Sequence, residues 1–559
     1  MNTIKLNCLN SIFSRVSGKR IGQIVLWLYF VLLTVIYPYY APGGYLRIGE
    51  VKYLFFRNVT LLMAAVMIVI IVCTLIRRPG LVTRYYHRMS VTDWFAYGYF
   101  VTVMLSYLCS AYKKEAFWGT EGWYMGTVMQ MLFVLLYFFF SRYFVSGGKC
   151  LAVWMTGSAG VFILGILNRY SVYPFAMEGQ TPVFISTLGN INWFCGYWSV
   201  TAPVGLTLYW CSEKRWCRLL AGLYSLVAML AGVVQGSESA YLVFGAVGEV
   251  LLLFSIHSVQ RLYRWMELCM IWLAGCQLGR LMRYLPGLRM NYGSAINGGS
   301  PSVMERLTDG NDTLWILGIM LTVYIIFRVW NGKSDAKEAG EEDMTRPQEK
   351  DTAKSRGVWD FMKVSRKKVV CTAVVIVFWL LVAAGIFCAG GLLDEGTSTD
   401  ASAQDNGRIV VFNEDWGNGR GVAWNCSIEA YKRLDPLHKI VGVGPDCFAN
   451  HIYGDSVLAA RLVEEFGQER LTNAHNEGLS ILINLGLLGA LCYAGLVGSL
   501  LLRCCRRAQG QQILYVCAVS ILAYTVHNVV SFQQVLNTPY LFILLGIGEG
   551  LLRKSKEKA

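Results

Sequence analysis

Three short polar motifs late in an otherwise apolar chain hold the residues best suited to chemistry. A Trp-Gly-Asn-Gly turn leads into Arg420, GVGPDCF occupies 442–448, and Asn473-Ala-His475-Asn476-Glu477 stands directly before the apolar run GLSILINLGLLGALCY. Glycines let backbone approach a ligand closely and adopt positive φ. A helix beginning just beyond, over WNCSIEAYKRL, would add backbone N–H groups to the guanidinium, and the two together make an anion site. The expected anion is a phosphate or pyrophosphate; the competing reading is a surface Arg420 paired with Glu414 or Asp415. An imidazole titrates near neutrality and can take a proton from a hydroxyl. That makes His475 a candidate base with Asn476 or Glu477 orienting its ring, against the plainer reading of a helix-cap histidine.

Other polar residues stand out against apolar surroundings. Glu238 sits in a short Ser-Glu-Ser turn between two apolar stretches. Arg280, Arg283 and Arg289 form a basic cluster that either holds a lipid-linked anion or contacts headgroups. His527 and Asn528, near the end of an apolar span, read as packing and hydrogen-bonding residues rather than reacting ones. The chain carries no P-loop, and no Asp-x-Asp or His-rich set requires a metal, so neither metal nor cofactor is expected. The 17 cysteines form no CxxC pair; Cys426 and Cys447 share the late polar loop, where one disulfide is compatible with the sequence.

These residues need a frame, and composition says what kind. Of the 559 residues 55% are hydrophobic and 15% charged, too apolar for an ordinary soluble domain. A bilayer core needs roughly 20 apolar residues of helix, and fourteen segments meet this: 21–40, 55–76, 91–109, 123–145, 151–167, 190–210, 217–235, 239–256, 264–280, 312–330, 369–393, 478–502, 512–531 and 535–551. The span 190–210 is weakened by Asn190, Asn192 and Pro203. Residues 21–40 read as a retained anchor, because no small-residue cleavage site follows them. The formal charge of +14 comes largely from Lys and Arg in alternate loops, which places both termini in the cytoplasm and argues against nucleic-acid binding. The expected organisation is an all-α polytopic membrane protein with a bundle of ten spans over 1–330. A flexible cytoplasmic linker follows at 331–368, then one span at 369–393, an extracytoplasmic loop at 394–477, and further spans with a basic tail over 478–559. Within the loop, WNCSIEAYKRL and DSVLAARLVEEF have helical apolar spacing.

In order, LGNINWF (188–194), QGSESAYL (235–242), GNGRGVAW (417–424), GVGPDCF (442–448) and AHNEGLSILINLGLLG (474–489) resemble landmarks of the O-antigen ligase and polymerase superfamily. The resemblance covers about residues 115–550. It implies a fold similar to GT-C glycosyltransferases and transfer of a glycan from an undecaprenyl-pyrophosphate carrier to an acceptor hydroxyl on a glycan, lipid or protein. The reaction would take place at the outer face of the cytoplasmic membrane, among membrane lipids and without metal or nucleotide sugar. By position, His475 would be the base and Arg420 would bind the pyrophosphate. Substrate contacts would fall on Asn190, Asn192, Glu238, Asn418, Gly419, Trp424, Asn476, Glu477 and Arg283. Glu238 departs from the pattern, since many ligases carry an Arg in that turn; Arg283 or Lys113 could supply the second cation. A repeat-unit polymerase of the same superfamily, a flippase for lipid-linked sugars, and a scaffold with a decayed site are the alternatives.

Overall fold

The computed structural model describes residues 18–77, 80, 89–256, 258–288, 308, 311–344, 416–467, 469–507 and 511–558, with side chains described up to 330, from 419, and up to 555 in the stretches that those positions interrupt. Among the described residues the chain is all-α apart from one two-residue antiparallel pair, β1 (Phe184–Ile185) and β2 (Gly189–Asn190). The helices of the bundle are α1 (Gly18–Val31), α2 (Ile48–Arg77), α3 (Val91–Cys109), the short α4 (Lys113–Trp118), α5 (Thr127–Tyr143) and α6 (Gly148–Arg169). They continue with α7 (Ile191–Cys211), α8 (Arg215–Val234), α9 (Ser239–Ser255), α10 (Val259–Arg283) and α11 (Asp312–Met344). After α12 (Trp416–Arg433), α13 (Pro436–Val441), α14 (Phe448–Ile452) and α15 (Ser456–Phe466), the chain ends in α16 (Glu477–Arg507), α17 (Gln512–His527) and α18 (Thr538–Lys558).

Six of these helical segments are long and apolar enough to cross a membrane by length and composition, the most apolar being Ile48–Arg77 with a mean hydropathy of 3.0. At 1.5 Å per residue, 30 residues reach about 45 Å, which exceeds a hydrocarbon core of about 30 Å. Helices occupy every span interval expected from the sequence except 369–393, which lies outside the described residues. The polar interruption at 190–210 does not break the helix: α7 is continuous with Pro203 inside it, and its residues around the proline are buried against neighbours, where tertiary packing outweighs local propensity. α11 runs on to Met344, into the stretch expected as a linker from 331; its polar part is rich in Ala, Lys and Glu, which are good helix formers.

Charged side chains fix one end of the bundle. Ser90 and Asp93 form a reciprocal capping box at the start of α3, and fully buried Asp93 also accepts from Tyr137 Oη at 2.8 Å and pairs with Arg142 at 2.9 Å and with Arg553. Buried Glu549 pairs with Arg503 at 2.5 Å and with Arg553 at 3.1 Å. Two carboxylates and three guanidinium groups thereby bind the ends of α3, α5, α16 and α18 together. Isolated charges at such depth would be strongly unfavourable.

The opposite end carries the late polar loop as a small helical cap. Its own apolar cluster includes Ala423, Cys426, Phe448, Ile452, Leu458 and Leu462, joined by Ala116 from α4. The GVGPDCF motif hooks this cap onto α16. Gly486 lies inside α16 at φ +68°, and the carbonyls near this kink accept from the loop, Ile483 O from Val443 N at 3.0 Å and Asn484 O from Gly444 N at 3.1 Å. Gly442, at φ +79°, would place a Cβ 2.3 Å from Asn484 O, and Gly486 would place one 2.3 Å from Ile440 O. Only glycine fits both sides of this crossing.

Candidate functional site

His475 and Arg420 arrive at the capped end by different routes. His475 occupies the turn before α16 with φ +47°, an uncommon conformation for a residue with a Cβ and one that recurs at functional sites. Its N–H donates to Asn473 Oδ1 at 2.9 Å, and its ring meets the Phe532 ring edge-on with centroids 5.4 Å apart. Phe532 in turn lies edge-on to Trp123 at 4.6 Å. Arg420 lies in α12, one residue after Gly419, which has φ +78°.

The neighbours expected to orient the imidazole do something else. Asn476 accepts from Leu479 N at 2.9 Å, capping α16, and donates to Val529 O at 2.9 Å. Glu477 turns inward, where its carboxylate accepts from Tyr493 Oη at 2.6 Å, Tyr524 Oη at 3.1 Å and Asn528 Nδ2 at 2.8 Å. Its N–H donates to Asn528 O at 2.9 Å. A buried carboxylate needs such donors, and the α17–α18 connection supplies one of them. Both residues therefore position the turn that carries His475, rather than its ring.

Electrostatics ties the two candidates together. Burial pushes the Arg420 guanidinium below the usual arginine range, while the negative charge of Glu238 pulls it back up. Burial, and then the charge of Arg420, holds the His475 imidazole down to about 4. At neutral pH the ring is thus uncharged and keeps a lone pair. The charge of Arg420 also reaches the ring of His527. Arg420, His475, His527 and Glu238 therefore share one electrostatic neighbourhood.

Glu238 is exposed at the start of α9, on a turn built by the residues around it. Ser237 Oγ donates to Asn192 Oδ1 at 2.7 Å, and Gln235 Nε2 donates to Ser237 O at 2.7 Å. Asn190 caps α7 by accepting from Asn192 N at 2.8 Å. Arg169 Nε donates to Val234 O at 2.8 Å under the same turn. Asn190 and Asn192 are thus part of the scaffold that presents Glu238.

Other expected residues fall in different places. The glycine stretch before Arg420 falls within the range of α12, which begins at Trp416, and is interrupted by the positive φ of Gly419. At Gly419 a Cβ would come 2.6 Å from Glu465 Oε1, so this glycine admits α15 rather than a ligand. Trp424 packs against the apolar cluster of the cap; the side chain of Asn418 lies outside those described, as do Glu414 and Asp415. Arg283 donates to Thr308, and Arg280 to Asn311 at 2.6 Å. Their described partners tie the end of α10 to the approach to α11 and not to Arg420; Arg289 is outside the described residues. Lys113 caps the end of α3 through Tyr107 O at 3.1 Å and Leu108 O at 2.6 Å. No disulfide joins Cys426 to Cys447. Among the described residues no group of three or more His, Cys, Asp or Glu is arranged to hold a metal.

Asp446, in the GVGPDCF motif, was not singled out by its sequence context. Its Oδ2 accepts from Thr120 N at 2.7 Å and Met125 N at 2.9 Å, and its carbonyl accepts from Thr120 Oγ1 at 2.7 Å. Burial lifts its carboxyl up to about 7 against the pull of those two N–H groups. It lines a cavity of ≈ 40 Å³ with Trp123, Asn473, Glu477, Phe532 and Gln533, enough for a few water-sized groups. The cavity adjoins the His475 turn through Asn473 and Phe532.

No family model matches the chain, and no curated protein does.

Proposed function

We propose that the chain is a membrane glycosyltransferase of the O-antigen ligase kind, which moves a glycan from an undecaprenyl-pyrophosphate carrier to a hydroxyl on the outer face of the cytoplasmic membrane. In this reading fourteen spans form a GT-C-like frame with both termini inside. The supporting facts are helices at the expected intervals and the gathering of Arg142, Arg503 and Arg553 with two carboxylates at one end, the end opposite His475.

The observation that carries the reading is a half-buried guanidinium just past the positive-φ Gly419, whose charge acts on the uncharged imidazole held in the positive-φ turn of His475 at the same end of an apolar bundle. Arg420 binds the diphosphate. The bond from the anomeric carbon to the phosphate oxygen breaks, its electron pair leaves on the diphosphate, and the guanidinium stabilises that charge. The acceptor oxygen forms the new bond to the anomeric carbon, and His475 takes its proton. The two roles reinforce each other. An anion on Arg420 cancels part of the charge that weakens the imidazole, so donor binding strengthens the base. By linkage the coupling is reciprocal.

The test is reconstitution of the full chain in proteoliposomes. The donor is the diphosphate-linked glycan that accumulates in cells lacking the protein, supplied with acceptor. Release of undecaprenyl pyrophosphate with formation of a new glycosidic bond is the expected result. Movement of the lipid-linked glycan across the bilayer without a new bond would replace this reading with a flippase.

A further inference from the structure

The cavity of ≈ 40 Å³ lies where the GVGPDCF motif meets α16 and the connection between α17 and α18. Hydrogen bonds fix how the amides in its wall are turned. Met125 O can only accept and lies 3.1 Å from Gln130 Nε2, while Tyr99 Oη donates to Gln130 Oε1 at 2.8 Å. Gln130 Nε2 therefore also donates to Gln533 Oε1, at 2.7 Å, which leaves Gln533 Nε2 as a donor. Gln533 is 8% exposed. Its Nε2 bears on Tyr99 and Glu477, which line the same cavity, yet among the described residues it completes no hydrogen bond. Asn484 lines the cavity from α16, and its buried Oδ1 has no hydrogen-bond partner among the described residues either. A buried donor or acceptor left unmet costs about 1–3 kcal/mol. One of each in a single wall calls for an occupant that both donates and accepts, as a hydroxyl does.

The rest of the wall narrows the class of occupant. Trp123 is half-exposed, and the N–H groups of Thr120 and Met125, which bracket it, both donate to Asp446 Oδ2. Asp446 thus positions the loop that presents the indole. An aromatic face beside a few hydrogen-bonding groups suits a sugar, apolar on its ring faces and hydroxylated at its edge. Phe532, which also lines the cavity, touches Trp123 on one side and the His475 ring on the other, with centroids 4.6 Å and 5.4 Å away. Asn473, in the same wall, holds the His475 N–H at 2.9 Å. The cavity is therefore joined to the base by direct contacts. Two carboxyl groups, Asp446 and Glu477, and no Lys, Arg or His line it, which suits an uncharged group and not a diphosphate. The volume takes about three water-sized groups, the hydroxyls along one edge of a sugar rather than a whole ring.

We infer that this cavity is the subsite for the acceptor, and that the acceptor is an uncharged sugar whose hydroxyl edge is held by Gln533 Nε2 and Asn484 Oδ1 with its ring against Trp123. This rests on the reading of the chain as a glycosyltransferase with His475 as base. The amides hold hydroxyls neighbouring the one that reacts, and the contacts through Phe532 and Asn473 set that edge against the imidazole. Water fills the cavity until the sugar displaces it.

The experiment measures transfer by the full chain in proteoliposomes. The donor is the diphosphate-linked glycan of cells lacking the protein, and the acceptor is the envelope glycan of the same cells. Gln533→Leu and Asn484→Leu are each expected to raise KM for the envelope acceptor by roughly tenfold, the equivalent of one buried hydrogen bond, and to leave KM for the donor unchanged. Trp123→Ala is expected to act in the same way, and Trp123→Phe, which keeps a ring face, to recover part of the loss. Among methyl glucoside, methyl galactoside and methyl mannoside, at least one is expected to compete with the envelope acceptor on the wild type and to lose that effect on the variants. Methyl glucuronide, which carries a carboxylate, is expected not to compete. Equal rises in both KM values would assign these residues to the general stability of the cap. Unchanged KM values would mean that the cavity holds only water. Wild-type transfer that none of the three neutral glycosides inhibits would mean that the occupant is not a sugar. Each of these results overturns the subsite while the transferase reading stands. Failure of the wild type to form any new glycosidic bond would overturn that reading, and the subsite with it.

Discussion

Replacing Arg420 by Gln removes the charge that acts on His475 while keeping a polar side chain of intermediate length. His475 stands at about 4 against an ordinary 6.5. At about 1.4 kcal/mol per pH unit, its surroundings disfavour imidazolium by roughly 3 kcal/mol. The acid limb of kcat/KM for the donor reports the base in the free enzyme, so the wild-type profile should be flat from about pH 5.5 upward and fall only near 4. Burial is the larger cause of the depression and Arg420 the smaller. The variant's limb should therefore move up and stay below 6.5. The rate itself should fall by roughly 10²–10³-fold through loss of leaving-group stabilisation, and Arg420→Lys should also be impaired because the bidentate fork is lost. The wild type supplies an internal check: bound diphosphate offsets the guanidinium, so the acid limb of kcat should lie above that of kcat/KM. The assay is release of undecaprenyl pyrophosphate between pH 4 and 9. A wild-type limb near 6.5, or the same limb in the Arg420→Gln variant, would refute the coupling.

His475→Ala should abolish transfer with membrane abundance unchanged on immunoblots; full activity would remove the imidazole from the mechanism. Asp446 has a folded-state carboxyl near 7 against an ordinary 3.8. The folded protein thus holds the extra proton between those values, and the contribution to stability present below about pH 4 is lost as pH rises toward 7. Resistance of the cap to limited proteolysis should therefore decline over that window, and Asp446→Asn should flatten the slope. Gly486→Ala forces a Cβ to 2.3 Å from Ile440 O at φ +68°. A destabilisation of roughly 2–4 kcal/mol, seen as a lower Tm and early cleavage near 442–448, is expected.

The elements that apolar runs encode were legible without coordinates. Runs of about 20 apolar residues carry their own instruction to form helices, which is why helices appear at 55–76 or 478–502 as expected, and why α15 follows the spacing of DSVLAARLVEEF and starts at its Asp455 cap. Individual roles were less legible. Glu477 looked like a partner for the imidazole because it lies two residues away in sequence, but the turn at His475 sends it into a set of donors from α16, α17 and the next connection. Gly419 looked like room for a ligand and proved to be room for α15. His527 looked like a packing and hydrogen-bonding residue, and its ring is buried with Nδ1 2.9 Å from Asn528 Oδ1.

Residue type and spacing by themselves determined that the chain is helical and apolar and that Arg420 and His475 are chemically capable groups. Only the folded chain decided that these two groups, 55 positions apart in sequence, share one electric field with Glu238 and His527. Helix formation is driven by local periodicity, which any stretch of sequence displays. The meeting of four residues from four distant segments depends on how the ends of α9, α12 and α17 and the turn before α16 pack, and on glycine crossings such as Gly442 against Gly486, which no local pattern encodes.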